Sequence, residues 1–440
     1  MPSRADTVHL LRRTEVVARP ERVAELESLT LEQAVDNVLD VPADPGSAAF
    51  GSDSEWQRHV ELTHFWLNRL ARAARPLQEQ LAVFWHGHFV SSADKVGIAR
   101  LTREQIDLYR HRGLGNVRDL AITMSTQVAM LRYLDNNQNR RTSPNQNFGR
   151  ELMELFLLGV GNYTEADVEA CTAAWTGHGD YWEDGAYVWH DDWHDERSKQ
   201  FLGRTINTVR ATEADRRQHG AETIQVMLGN GTVPAGATNA ANRGRPTREV
   251  AAEFLSRKLW TFFAGTTPSN TVVAALGDVL LANDFEVRPW LRALLLRSEF
   301  YSAEVKGGLV RSPTDYIVAL LVATGLTSEE ATPTWLLDAM GQRLLYPPNV
   351  SGWRNNGAYV SAGALGARAS VARRFAWLAS REYWDDNGDR SINLAGGSIH
   401  QDDIKATGKA WNAGFDDKAA ERRAIVDRMA DLAGIELTTS

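Results

Sequence analysis

The chain has 440 residues, of which 43% are hydrophobic and 24% are charged. This composition is typical of a folded globular protein and excludes a largely disordered chain. The formal net charge is −8 and there is no basic block, which argues against nucleic acid as a partner.

The sequence also argues against a membrane span and against cysteine chemistry. No apolar run approaches the ~20 residues that cross a bilayer, and residues 1–6 lack the hydrophobic segment of a signal peptide. We therefore expect a cytoplasmic protein, or an exported one if such a segment has been removed. The single cysteine, Cys171, excludes an intrachain disulfide and any multi-cysteine metal site, so a metal ion would need His and carboxylate ligands.

Helix-start signals dominate the chain and predict an all-α fold. A capping hydroxyl stands three residues before an acid or amide at Thr30, Thr102 and Thr164, a pattern typical of helix N-termini. Apolar residues at helical spacing predict helices near residues 31–39, 55–89, 103–134, 145–158, 165–176, 247–264, 286–298, 313–325 and 364–380.

Alternating strand patterns are scarce, so at most a short β-hairpin is expected. Its predicted position is 180–190, where aromatic residues flank an Asp-Gly turn. A long loop is predicted over 229–246, which is rich in Gly, Asn and Pro. These patterns predict one large multi-helix domain with long loops over 1–380, and an irregular segment plus a C-terminal helix packed on it over 381–440.

Two histidines stand at the end of a predicted helix, in the run Phe-Trp-His-Gly-His-Phe over 84–89. On a helix His86 and His88 point ~200° apart, so they would share a ligand only if the helix stops at Gly87. Under that condition both are candidate metal ligands, and Trp85 is a candidate substrate contact. Two buried or helix-capping histidines are an equally weighted alternative.

Two acids form a second candidate group. Glu151 and Glu154 are three residues apart and lie on one face of a predicted helix, as carboxylate metal ligands do. Their mostly apolar neighbours predict partial burial, which requires Arg, His or metal partners. The simpler alternative is an ion pair between Arg150 and Glu154. Asn147 and Arg150 are candidate substrate contacts.

A third polar group lies over 189–195, where two histidines and three aspartates occur with two tryptophans. This density of donors can chelate an ion or supply an acid–base pair; the alternative is an exposed polar loop held down by its tryptophans. His194 is a candidate metal ligand, and Asp195 and Lys199 are candidate catalytic residues. The candidate substrate contacts nearby are Tyr163, His178, Trp182 and Trp193.

The fourth group, residues 347–353, combines prolines that favour an extended entry with Asn and Gly that permit unusual backbone angles. Its Trp353 is either a wall for a ligand or, as the slightly favoured alternative, a plug for the core. The signatures of nucleotide-binding proteins, serine hydrolases and zinc proteases with a His-Glu-x-x-His pair are missing from the sequence. No nucleotide cofactor is therefore expected.

These segments, in this order, resemble the bacterial family known as domain of unknown function 1800. The resemblance covers roughly residues 8–380 and rests on His9–Arg13, 84–89, 145–164, Thr176–Gly177, His194–Asp195, Lys199, Leu202–Gly203, Lys258–Trp260, 347–353 and Arg368. It implies a mostly helical fold and a sulfatase-like partner protein, but no established reaction.

The chain departs from the family pattern at three places. Residues 13–17 replace an Arg-Ala-Gly-Phe-Gly-like run, and Arg197 replaces a usual glycine. Gln146 stands where the family tends to have Glu, which removes a carboxylate that a metal site would use.

The residues themselves favour a metal-assisted hydrolase in which the segments near 86, 151 and 194 meet. A divalent ion held by His and Glu would lower the pKa of a bound water, and a remaining carboxylate would take its proton. The predicted metal ligands are His86, His88, His194 and Glu151. The predicted catalytic residues are Glu151, Glu154, Asp195 and Lys199.

Two alternatives stay open. One is a metal-independent glycoside hydrolase or other glycan-acting enzyme, with paired carboxylates and a cleft lined by tryptophans. The other is a non-catalytic binding or assembly protein, in which the polar groups form a buried network that holds the helices together. The substrate of an enzyme of either kind would be a small molecule or a glycan.

Overall fold

The computed structural model describes residues 2–43, 45–331, 334–354, 356–379, 382–384, 390–393 and 398–400. Within these residues the fold is all-α with small antiparallel sheets, which confirms the predicted fold class. The helices are α1 (Arg4–Thr14), α2 (Pro20–Glu27), α3 (Leu31–Leu39), α4 (Glu55–Arg72), α5 (Leu77–His88), α6 (Ala93–Val96), α7 (Ala99–Arg112), α8 (Val117–Thr126), α9 (Val128–Tyr133), α10 (Asn147–Glu151), α11 (Glu165–Ala174), α12 (Glu213–Arg217), α13 (His219–Met227), α14 (Thr247–Ala264), α15 (Asn270–Ala282), α16 (Val287–Leu295), α17 (Ala303–Gly307), α18 (Pro313–Thr324), α19 (Ser328–Ala331), α20 (Trp335–Met340) and α21 (Ala362–Ala379).

The predicted capping boxes are correct at two of the three positions. Thr30 and Thr164 begin α3 and α11 with both hydrogen bonds of the capping box. Thr102 lies inside α7 instead. The first turn of α7 takes its cap from another helix, since the Ala99 N–H donates to the Glu55 carboxylate of α4 at 2.6 Å. A cap supplied from a distant segment leaves no local sequence pattern.

Two long predicted helical stretches are divided. The stretch near 55–89 breaks before Pro76 into α4 and α5, because proline cannot donate to a continuous helical ladder. The stretch near 103–134 becomes α7, α8 and α9, with Gly113 after α7 and an extended Gln127 between α8 and α9. By contrast, α14 has the bounds that the sequence predicts.

The predicted helix near 145–158 contains an irregularity. After α10 the chain continues as a π-helical turn, Leu152–Leu157. Such turns are rare and recur at functional sites.

The predicted loop over 229–246 is held against the residues that follow this turn. The Asn239 N–H donates to the Gly161 carbonyl at 2.8 Å.

Two hairpins interrupt the helices. The predicted one pairs β1 (His178–Asp180) with β2 (Tyr187–Trp189), and a second, which the sequence did not predict, pairs β3 (Lys199–Phe201) with β4 (Arg204–Ile206). The second hairpin turns at Leu202 and Gly203, with φ of 46° and 75°, as two-residue turns require. The first hairpin was predicted from its Asp-Gly turn and flanking aromatic residues, and the Leu-Gly turn of the second carries no such signal.

Three further strands form a small antiparallel sheet in the segment predicted to be irregular. They are β5 (Glu382–Trp384), β6 (Arg390–Asn393) and β7 (Ser398–His400). The C-terminal helix predicted beyond them lies outside the described residues.

One apolar core joins most of the helices, and α5 lies within it. Every residue of α5 except Gly87 is buried, which is the pattern of a helix surrounded by protein on all sides. The position of α5 places both histidines of the run 84–89 inside the molecule. None of the helices in the described ranges is both long and apolar enough to cross a bilayer.

Candidate functional site

The helix α5 does not stop at Gly87, so the predicted convergence of the two histidines is wrong. The helix continues to His88. Gly87 serves a close approach instead: Gly352 has a φ of 81°, and a Cβ there would lie 2.3 Å from the Gly87 carbonyl oxygen. This contact joins the first and fourth sequence groups, and Trp353 packs against Gly87 beside it.

The two histidines are buried in different surroundings. His86 has no hydrogen-bond partner on either ring nitrogen among the described residues, and its ring packs against Trp353 at 5.1 Å. The Nε2 of His88 donates to the Phe156 carbonyl at 2.8 Å, one of the free carbonyls at the end of the π-helical turn. Burial lowers the pKa of each histidine to about 3, so both are neutral at pH 7.

The charges of Glu151 and Glu154 influence each other, and the hydrogen-bond partner of Glu154 is not the one that the sequence predicted. The Tyr163 hydroxyl donates to Glu154 at 2.5 Å. Arg150 pairs with Glu165, at N–O distances of 2.9 and 2.8 Å, so the predicted alternative of a pair with Glu154 is wrong. Burial, and then the charge of Glu154, raise the pKa of Glu151. The two acids and the tyrosine form a group of their own.

His194, Asp195 and Lys199 form a closed hydrogen-bonded network at the start of β3. The His194 ring is bonded on both nitrogens, to a backbone carbonyl and to Nδ1 of His219, each at 2.8 Å. The Asp195 carboxylate accepts from Arg197. The Lys199 ammonium donates to the Asp195 carbonyl at 2.7 Å and to that of Arg197. Their polar groups are therefore occupied by neighbouring protein atoms.

The predicted aromatic contacts lie in separate places. Trp85 is fully buried and donates its indole N–H to a backbone carbonyl, so it belongs to the core and cannot form a wall for a ligand. Trp182 is 75% exposed, and Trp193 stacks on His190 at 3.7 Å. His178 is buried, with Nδ1 3.0 Å from a tyrosine hydroxyl of β2. Trp85 and His178 are thus buried in the protein, whereas Trp182 is exposed.

The three predicted segments do not assemble a metal centre in the part of the chain that the structure describes. No three His, Cys, Asp or Glu side chains there are grouped so as to hold a metal ion. The physical reason is that α5 keeps its histidines in the apolar core, while the groups near 151 and 194 bond to their own neighbours. Asn147, a predicted substrate contact, donates to the Leu134 carbonyl at 3.3 Å.

A cavity of about 130 Å³ lies where α1, α5, α14 and α18 meet the loop around Trp353. It brings together residues from four segments of the family resemblance: Arg12 and Arg13 of α1, Gly87 and His88 of α5, Lys258 of α14, and Trp353. Of the predicted substrate contacts, Trp353 lines this cavity.

The cavity has an excess of positive charge. Arg12, Arg13 and Lys258 line it, together with one acid, Asp315. Arg311 lies near the cavity, since its charge lowers the pKa of both Arg12 and Asp315. Burial, and then a neighbouring arginine in each case, lower the pKa of Arg12 and of Arg13 to about 10. Arg12 and Arg13 therefore remain charged at pH 7 and repel each other where water screens them poorly.

Buried polar atoms without partners surround the same cavity. Among the described residues they include Nδ1 of His88, Oε1 of Gln80, Nε1 of Trp353 and the Tyr359 hydroxyl. An unpaired buried polar atom costs about 1–3 kcal/mol. Lys258 also has neither a hydrogen bond nor an ion pair with any described residue, and its Nζ lies 5.4 Å from the centre of the Phe254 ring. These groups remain available to a ligand.

Sequence reasoning assigned no role to Arg12, Arg13, Lys258 or Asp315. The first three lie in segments that carry the family resemblance, and the usable signal was a cation inside an otherwise apolar helix, where charges are seldom buried without a partner. Asp315 gave no such signal, because its position three residues after Ser312 is already explained by the capping box of α18.

The helical fold and the internal cationic cavity together define an all-α protein with a buried polar site. The model of the family described as Protein of unknown function (DUF1800) matches residues 9–437. The chain therefore belongs to this family, which confirms the resemblance seen in its motifs. A search of curated proteins and a search of solved structures found no match.

Proposed function

We propose that the protein binds a small anionic ligand in the cavity lined by Arg12, Arg13 and Lys258. The observation that carries the proposal is the charge balance of a partly buried space, where these three side chains lie with one carboxylate among the described residues, that of Asp315. Arg and Lys pair with carboxylate and phosphoryl groups, and such pairs are stronger away from water. A bound anion would also offset the repulsion between the cations.

The size of the cavity limits the ligand. Its volume of about 130 Å³ is close to the ~150 Å³ of a protein cavity that holds benzene. The buried part of the ligand is therefore a group of a few heavy atoms, such as phosphate, sulfate or a short carboxylate. A sugar ring or a nucleotide attached to that group would lie outside.

The reactions predicted from the sequence stay predictions. A metal-assisted hydrolase and a glycan-acting enzyme both depend on the acids near 151 and 195, and none of these acids lines the cavity. The sulfatase-like partner stays an implication of the family resemblance. Anion binding depends on none of them and supports a binding protein as well as an enzyme with an anionic substrate.

Calorimetric titration of the full chain with phosphate, sulfate and a short dicarboxylate tests the proposal. At least one anion is expected to bind, and Lys258→Met, which keeps the length of the side chain and removes its charge, is expected to weaken that binding at least tenfold. The matched control is Lys95→Met, because Lys95 is partly exposed and pairs with Asp135 away from the cavity. Absence of binding, or equal affinity in Lys258→Met, would contradict the proposal.

A further inference from the structure

The cavity contains hydrogen-bond acceptors as well as donors, and the acceptors restrict which anion fits. Asp315, Gln80 and His88 all line the cavity. Oε1 of Gln80 and Nδ1 of His88 are buried acceptors that receive no hydrogen bond from the described residues. The free nitrogen of His88, Nδ1, is an acceptor because the proton of the ring is on Nε2, which donates to the Phe156 carbonyl. An anion without a proton would place its lone pairs against these acceptors.

We infer that the ligand is an oxyanion that carries a proton it can donate, as hydrogen phosphate does and sulfate does not, and that Asp315 accepts this proton in a hydrogen bond. The inference rests on the proposed function. The shared chemistry is a phosphoryl group with a P–OH, either in free phosphate or in the monoanion of a phosphate monoester.

The contacts of Asp315 leave room for this hydrogen bond. Its carboxylate accepts from the Ser312 N–H at 3.4 Å and from Nε2 of Gln80 at 3.3 Å. Both contacts are long, so each oxygen keeps capacity for a shorter hydrogen bond. Burial raises the pKa of Asp315, although Ser312 and Arg311 lower it in part, and a more basic carboxylate is a better acceptor for an acidic P–OH.

The donors of the cavity suit the remaining oxygens of such a group. Lys258 has no acceptor within the described residues, and Arg13 uses one N–H for the Val305 carbonyl, which leaves others of its guanidinium. Nε1 of Trp353 and the Tyr359 hydroxyl are further donors without partners in the described part of the chain. Donors therefore outnumber acceptors, as they do around a phosphate with one protonated oxygen.

Calorimetric titration at pH 7.5 with inorganic phosphate and with sulfate tests the inference. The wild-type protein is expected to bind phosphate at least tenfold more tightly than sulfate. Asp315→Asn replaces one acceptor oxygen with an amide donor, so sulfate affinity should rise and the ratio should fall to within about threefold. The matched control is Asp215→Asn, because Asp215 occupies the same capping-box position in α12 and does not line the cavity.

A small phosphate monoester separates the two sources of the phosphoryl group. Its second pKa is about 6, so at pH 7.5 it has mostly lost its proton and should bind more weakly than inorganic phosphate. A sulfate that binds as tightly as phosphate at pH 7.5 would overturn the inference. So would a monoester whose affinity does not rise when the pH is lowered from about 7.5 to about 6, or a dicarboxylate as the only anion bound. Each of these results would leave the anion site standing. If Asp315→Asn does not fold, the wild-type ratio decides. Failure of every anion to bind would overturn both proposals.

Discussion

Two regions of the molecule each contain a mostly buried lysine, and the two lysines differ in whether they have hydrogen-bond partners. Lys199 donates to the Asp195 carbonyl at 2.7 Å and lies 3.4 Å from its carboxylate. Lys258, at the cavity, has neither kind of partner among the described residues. Burial lowers the pKa of both. The comparison shows that burial alone does not distinguish the two lysines, whereas the presence of a hydrogen-bond partner does.

The largest effect on stability is expected at the first lysine. Lys199→Met should lower the free energy of unfolding by about 4 kcal/mol, because it leaves the carbonyls of Asp195 and Arg197 without their donor. It also removes a cation 3.4 Å from the Asp195 carboxylate. Anion affinity should not change in the folded variant. Denaturant unfolding and calorimetric titration measure the two quantities.

The same substitution at the other lysine is the control. Lys258→Met should leave the free energy of unfolding equal to that of the wild type or raise it. The substitution removes a charge whose burial costs desolvation energy that no ion pair offsets among the described residues. A loss as large as that of Lys199→Met would show that the two regions do not differ in the way described.

The contact that closes the cavity should give the next largest effect. Gly352→Ala forces a left-handed φ of 81° on a residue with a Cβ, which would meet the Gly87 carbonyl. We expect a loss of about 3 kcal/mol in the free energy of unfolding, with weaker anion binding because Trp353 shifts. Gly357→Ala, in the same loop and with no atom within 4 Å of the added Cβ, is expected to behave like the wild type in both measurements.

A smaller effect should appear in the pH dependence of stability. Burial holds the pKa of His86 at about 3 in the folded protein, against about 6.5 when unfolded. Below pH 6.5 His86 is therefore protonated in the unfolded chain but not in the folded one. The free energy of unfolding falls as the pH decreases towards 3. His86→Phe should remove this dependence, so that its stability relative to the wild type rises by about 2 kcal/mol between pH 7.5 and pH 5.

Unfolding curves at the two pH values measure this difference. The wild-type protein is the reference. A change in the stability of His86→Phe that runs parallel to that of the wild type would contradict a neutral, buried His86.

Local patterns were sufficient for the helices and insufficient for their breaks and caps. Thr30 and Thr164 begin helices because the capping groups are three residues away, within reach of local chemistry. The start of α7 depends on Glu55, which is 44 residues distant from the Ala99 N–H that it accepts. The second hairpin was missed because it turns at Leu202-Gly203 and lacks the Asp-Gly turn that marked the first.

The sequence by itself determined the helical class and the family, because spacing and motif order are properties of the chain alone. Only the tertiary structure decided which polar residues are paired. Lys199 meets Asp195 four residues away, whereas Arg13, Lys258 and Asp315 come from distant segments to line one cavity. Pairing depends on where distant segments come together, and no local pattern records that.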